Sequence, residues 1–125
     1  MERERKDHIS GAGRTEGFSG IFPYIVSPVG ERGEILEEPL RRLVSHLIGC
    51  CVHGLTPLGS TGEFYYLSWE QKRRIVEIVL DENQNRVPVV AGVTSSNTME
   101  ACRQAREFEA MGVDGILSIL DVYFP

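Results

Sequence analysis

Long apolar runs are missing from this 125-residue sequence. Its longest apolar stretches, such as residues 115–120, fall far short of the ~20 residues that span a bilayer. No N-terminal segment has the apolar core of a signal peptide, so neither a membrane partner nor secretion is expected. Positive charge is also scarce, with a net charge of -5 and basic residues that are scattered or alternate with acidic ones. That distribution argues against nucleic acid and anionic membrane as partners. Cysteine is limited to Cys50, Cys51 and Cys102, odd in number and without a CxxC pair. A secreted disulfide framework is therefore not expected, and a reducing cytoplasm fits best. His46 and His53 have no cysteine, histidine or carboxylate at ligand spacing, so no metal or cofactor is implied. Lysine occurs only as Lys6 and Lys72.

What remains is an ordinary globular composition, 42% hydrophobic and 25% charged, in a chain the size of one domain. Residues 1–16 hold dense mixed charge with no apolar period and read as a disordered tail. From residue 17 onward the pattern alternates strand and helix. Residues 21–26 are β-branched and aromatic and end at Ser27-Pro28, which predicts a strand. Pro39 marks a helix start, and Leu40, Leu43, Val44, Leu47, Ile48 and Cys51 follow on one face. Residues 54–58 form a second strand with almost no polar alternation, as suits a parallel strand covered on both faces. Ser68 and Gln71 have capping-box spacing before a second helix over roughly 69–82. Residues 86–93 form a third strand, Asn97 and Glu100 repeat the capping spacing, and Ala101, Ala105, Phe108 and Met111 turn a third helix inward. Gly112 ends that helix, and residues 115–120 form the last strand.

Val52-His53-Gly54-Leu55 is echoed by Val113-Asp114-Gly115-Ile116-Leu117, each time between a helix and a strand. Strands and helices that alternate with short links require parallel strands and right-handed crossovers. Two α/β architectures satisfy this: an open doubly wound sheet and part of a closed barrel. Both bind ligands at the carboxyl ends of their strands, where Ser27, residues 59–62, residues 94–96 and residues 121–123 fall. The turn Leu58-Gly59-Ser60-Thr61-Gly62-Glu63 suits a carboxylate or phosphate, because glycine permits close backbone approach and N–H groups can converge there. A small glycine-rich turn also occurs as a plain strand-to-helix connection. Cys50 and Cys51 read as small apolar packing groups, with Cys51 standing where Gly112 stands in the repeat. Tyr65, Tyr66 and Trp69 read as local packing beside the turn.

Several stretches together carry a more specific signal. Gly20-Ile21-Phe22-Pro23 through Ser27-Pro28, the turn 58–63, Val87-Pro88-Val89-Val90-Ala91-Gly92-Val93 and Gly112-Val113-Asp114-Gly115 resemble the dihydrodipicolinate synthase and N-acetylneuraminate lyase family. The resemblance implies the N-terminal half of a (β/α)8 barrel over residues 17–125, with about four parallel strands and three helices. It implies a class I aldolase or lyase that joins or cleaves pyruvate, or another 2-oxo acid, and an aldehyde through a lysine Schiff base. It further implies a homo-oligomer, usually a tetramer. Ser60 then matches the family's proton-relaying hydroxyl and Thr61 the one that holds the substrate carboxylate, with Gly59 and Gly62 framing them. Tyr123 matches a tyrosine that reaches a neighbouring subunit's site, although Val122-Tyr123-Phe124 departs from the usual Tyr-Tyr-Asn. Glu63 reads as a helix-start carboxylate. A complete barrel needs eight strands and ~250 residues, and neither lysine here falls at a strand end. The chain is therefore expected to be inactive alone. The alternative is a noncatalytic half-barrel that binds or assembles with another module.

Overall fold

The computed structural model describes residues 17–119. Their regular elements are helix α1 (Glu37–Gly49), a 3-10 turn (Phe64–Tyr66), α2 (Trp69–Asn83), strand β1 (Val90–Thr94), α3 (Thr98–Met111) and strand β2 (Gly115–Ile119). The charged segment 1–16 and the tyrosine at 123 lie outside the described residues.

Each helix begins for a different local reason. In α1, Leu36 occupies the cap position without a side-chain cap, and Glu37 and Glu38 set negative charge against the positive end of the helix. Pro39 lies in the first turn, two residues inside the start rather than at it. It is tolerated because backbone N–H groups in a first turn have no helical partner. At α2 the capping box is complete: Gln71 N donates to Ser68 Oγ at 3.2 Å, and Ser68 N donates to Gln71 Oε1 at 2.7 Å. At α3 only one half of the box forms. Asn97 Oδ1 accepts from the N–H groups of Met99 and Glu100. The Glu100 carboxylate is drawn instead to Arg103 and Gln104.

The helix ends separate what glycine does from what other residues are made to do. Gly112 closes α3 with φ 103°, a conformation without penalty for glycine. Cys51, its counterpart after α1, has φ 61° despite its side chain. Both Cys50 and Cys51 are exposed, which corrects the expectation that they pack as small apolar groups and that Cys51 extends the α1 stripe. The stripe ends at Ile48, because Cys51 has already left the helix.

Among the described residues two strands are regular, where about four were expected over residues 17–125. β1 and β2 pair in parallel, with Val90 opposite Gly115 and Thr94 opposite Ile119. The two N-terminal extended segments run alongside in chain order, joined by single bridges, Tyr24 to Thr56 and Leu55 to Val89. Their hydrogen bonds keep a parallel sense, as in Ile25 N to Thr56 O at 3.1 Å and Leu55 N to Pro88 O at 2.9 Å. Pro23, Pro57 and Pro88 lack N–H donors, and a proline in a strand interrupts the ladder. The segments lie side by side, but the ladder between them is broken.

The core lies between this sheet and the helices. Leu40 and Val44 from α1, Ile75, Val76, Ile78 and Val79 from α2, and Phe108 from α3 cover Ile25, Leu55, Val89, Ala91 and Val93. The other, inner face of the sheet is open along its first extended segment. Tyr24 and Val26 remain 47% and 49% exposed, and a cavity of about 330 Å³ is lined by Phe22, Tyr24, Thr56, Val90 and Leu117.

Candidate functional site

The chain between the second extended segment and α2 is held by three neighbours. From one side, Ser27, itself buried, donates from Oγ to the Gly62 carbonyl at 2.6 Å. From the other, Gly92 N donates to the Pro57 carbonyl at 2.9 Å. Beneath it, a Cβ placed on Gly59 would stand 3.2 Å from the Tyr24 ring. The backbone then folds over β1 so closely that a Cβ on Gly92 would lie 1.9 Å from the Leu58 carbonyl oxygen. Leu58 has φ 63° and is fully buried. A branched side chain in the left-handed region costs conformational energy. The buried Leu58 side chain holds that conformation from within the core.

Inside the turn, Gly62 N donates to Gly59 O and Glu63 N to Ser60 O, both at 3.0 Å. Those two amides are engaged, so convergence of all the turn's N–H groups on one anion is not what the backbone presents. Among the described residues, the N–H groups and hydroxyls of Ser60 and Thr61 make no hydrogen bond, and both residues are exposed. Gly59 and Gly62 are buried beneath them. Two adjacent N–H donors with two hydroxyls are suited to a carboxylate, and a hydroxyl beside a developing alkoxide can pass a proton.

The remaining candidates are dispersed. Glu63 caps the 3-10 turn by position only, with φ 54° and no side-chain bond to it. Tyr65 and Tyr66 meet edge to face at 5.6 Å between centroids and are 70% and 82% exposed. They do not pack beneath the turn, which corrects the expectation of local packing. Trp69 does pack, 5.3 Å from Phe108, with the Arg103 guanidinium 4.6 Å above its ring. Lys72 sits on α2 in the electrostatic field of Glu100, in the helical layer. His53 is exposed and accepts from Ile21 N–H through Nδ1 at 2.9 Å. Among the described residues no three histidine, cysteine or acidic side chains could hold a metal ion. None of their helices is long and apolar enough to cross a membrane. The large charge perturbation near α3 belongs to its surface, where hydrogen bonds from Arg103 and Gln104 draw the Glu100 carboxyl down to about 2.

Ser27 and Gly92 were the less visible members of this arrangement. Ser27 was legible only as the end of a strand. Gly92 stood isolated in a valine-rich strand, a signal for close approach by another piece of backbone.

Residues 17–125 match the model of the Dihydrodipicolinate synthetase family. A 4-hydroxy-tetrahydrodipicolinate synthase of Methanospirillum hungatei is 41% identical over 108 residues, covering 85% of this chain and 37% of that protein. The structure of the 4-hydroxy-tetrahydrodipicolinate synthase of Methylacidiphilum fumariolicum superposes with a TM-score of 0.79 at 35% identity, over 83% of this chain and 34% of that one. The N-acetylneuraminate lyase of Mycoplasma synoviae gives 0.78 at 31% identity, over 86% and 37%. These neighbours are (β/α)8 barrels, and the chain spans little more than a third of the length of its relatives.

Proposed function

Because the chain belongs to the dihydrodipicolinate synthetase family, we propose that it supplies the carboxylate-binding and proton-relaying turn of a Schiff-base lyase acting on pyruvate or a related 2-oxo acid. The observation that carries this reading is the exposed pair Ser60 and Thr61, whose N–H groups and hydroxyls make no hydrogen bond among the described residues. The turn leaves the second extended segment at its carboxyl end, where ligands of parallel α/β folds bind. Thr61 and the adjacent N–H groups hold the carboxylate, and Ser60 relays a proton to or from the reacting carbon's oxygen. Tyr123 is assigned to the same site from the family resemblance.

The nucleophile lies elsewhere. A Schiff base forms when a lysine amine adds to the 2-oxo carbonyl and water leaves. The chain's lysines are Lys6, in the charged N-terminal segment, and Lys72, on α2 beside the Glu100 carboxylate. We therefore assign the Schiff-base lysine to a part of the barrel beyond these 125 residues, and the isolated chain to an inactive state. Borohydride reduction with pyruvate followed by intact-mass analysis tests both statements. The 125-residue chain is expected to gain no adduct, and a full-length protein to gain one. An adduct on Lys72 would overturn the topology of the site.

A second reading has one specific support, the exposed apolar inner face that carries Tyr24 and Val26. In that reading the half-barrel is a noncatalytic assembly module whose inner face docks on another copy or on a complementary half.

A further inference from the structure

Thr94 ends β1 on the same side of the sheet as Val90 and Gly92, because side chains alternate along a strand. Val90 lines the inner-face cavity, and Gly92 lies under the Leu58 carbonyl. The next inward residue is Thr94, two positions along the strand from the point where the Leu58 carbonyl meets Gly92. It is only 8% exposed, and its Oγ1 has no hydrogen-bond partner among the described residues. The carbonyl of the fully buried Leu58 likewise accepts no hydrogen bond among them. Buried polar groups are almost always paired. Here a buried donor and a buried acceptor, each without a partner, occupy the same inner face.

We propose that Thr94 is a positioning residue for the 2-oxo acid. Its hydroxyl donates to the Leu58 carbonyl when the turn closes on the carboxylate, holding Ser60 and Thr61 in the geometry that binds. This rests on the function proposed above. The bond couples to binding because Leu58 is the first residue of the turn and already has the left-handed backbone that aims its carbonyl at β1. Gly92 keeps the path between them free of a side chain.

Thr94→Val and Thr94→Ala in the full-length protein test it, read by borohydride trapping against pyruvate concentration and by thermal unfolding. Loss of one hydrogen bond between neutral groups corresponds to roughly a fivefold rise in half-saturating pyruvate. The trapping rate at saturation and the melting temperature should stay near wild type, and Thr94→Ser should restore the wild-type half-saturation. Unchanged half-saturation in both hydroxyl-free variants would overturn the proposal. So would a melting temperature that falls in step with binding, since the hydroxyl would then only support the fold. If the unsubstituted full-length protein traps no pyruvate, the reading of the site itself fails. If it traps pyruvate and the variants match it, the role of Thr94 alone fails.

Discussion

Gly92→Ala is expected to destabilise the chain and to displace the Ser60–Thr61 turn, although alanine is ordinarily the better residue in a strand. Gly92 does not lie in the positive-φ region, so replacing it carries no backbone penalty and would by itself stabilise by about 0.4–1 kcal/mol through the unfolded chain. The contact decides the sign. The new Cβ would stand 1.9 Å from the Leu58 oxygen and 2.6 Å from its carbonyl carbon, both backbone atoms. Restoring ordinary contact requires the chain at Leu58 to move by more than an ångström, away from the hydrogen bond between Gly92 N and Pro57 O at 2.9 Å. Overpacking of this kind costs about 1–3 kcal/mol and occasionally more. A clash with backbone belongs at the upper end, which leaves a net loss of about 2 kcal/mol after the entropic gain. Urea denaturation at one fixed protein concentration measures it, since association would otherwise shift the midpoint. Gly49→Ala is the control. It lies in the last turn of α1 with nothing within 4 Å of the added methyl, and should stabilise by about 0.5–1 kcal/mol. A Gly92→Ala chain as stable as wild type, beside a Gly49→Ala chain that behaves as stated, would refute the close crossing of Leu58 over β1.

Thr61→Ala in the full-length protein should lower pyruvate use without unfolding it. A hydrogen bond to a charged group contributes about 1.5–3 kcal/mol, a factor of about 10 to 150, and unchanged steady-state kinetics would remove Thr61 from the site. Ser27→Ala should leave the Gly62 carbonyl unpaired in a buried position, at a cost of about 1–3 kcal/mol read from the urea midpoint. The Glu100–Arg103 interaction has a depressed carboxyl pKa in the fold. Its stabilising effect is thus full above the ordinary carboxyl value of 4.5 and fades as pH falls toward about 2; Glu100→Gln should flatten that part of an acid titration. The 125-residue chain should self-associate at micromolar concentration through its open inner face, and sedimentation as a well-folded monomer would contradict the exposure of Tyr24 and Val26.

The linear order of residues was enough for the alternation of strand and helix, because it depends on local periodicity and local stops. The apolar positions of α2 and α3, the Ser68–Gln71 box and the closing Gly112 are each set by neighbours within a few residues. Family membership was legible in the same way, from short motifs in order. The chemistry of the turn was legible only as residue types. Tertiary structure decided which of its groups remain open: the amides of Gly62 and Glu63 are used within the turn, and those of Ser60 and Thr61 make no bond among the described residues. It decided that Cys50, Cys51, Tyr65 and Tyr66 face outward, since apolar composition says nothing about which surface a neighbour covers. It also decided that the first extended segment meets the second, and the second meets the chain at Val89, through one bridge each, because a ladder depends on N–H groups that Pro23, Pro57 and Pro88 do not have. The contacts of Ser27 with Gly62 and of Gly92 with Leu58 span 35 and 34 residues. Partners that far apart are chosen by how the segments pack, and that packing places the two hydroxyl residues at the carboxyl ends of the strands.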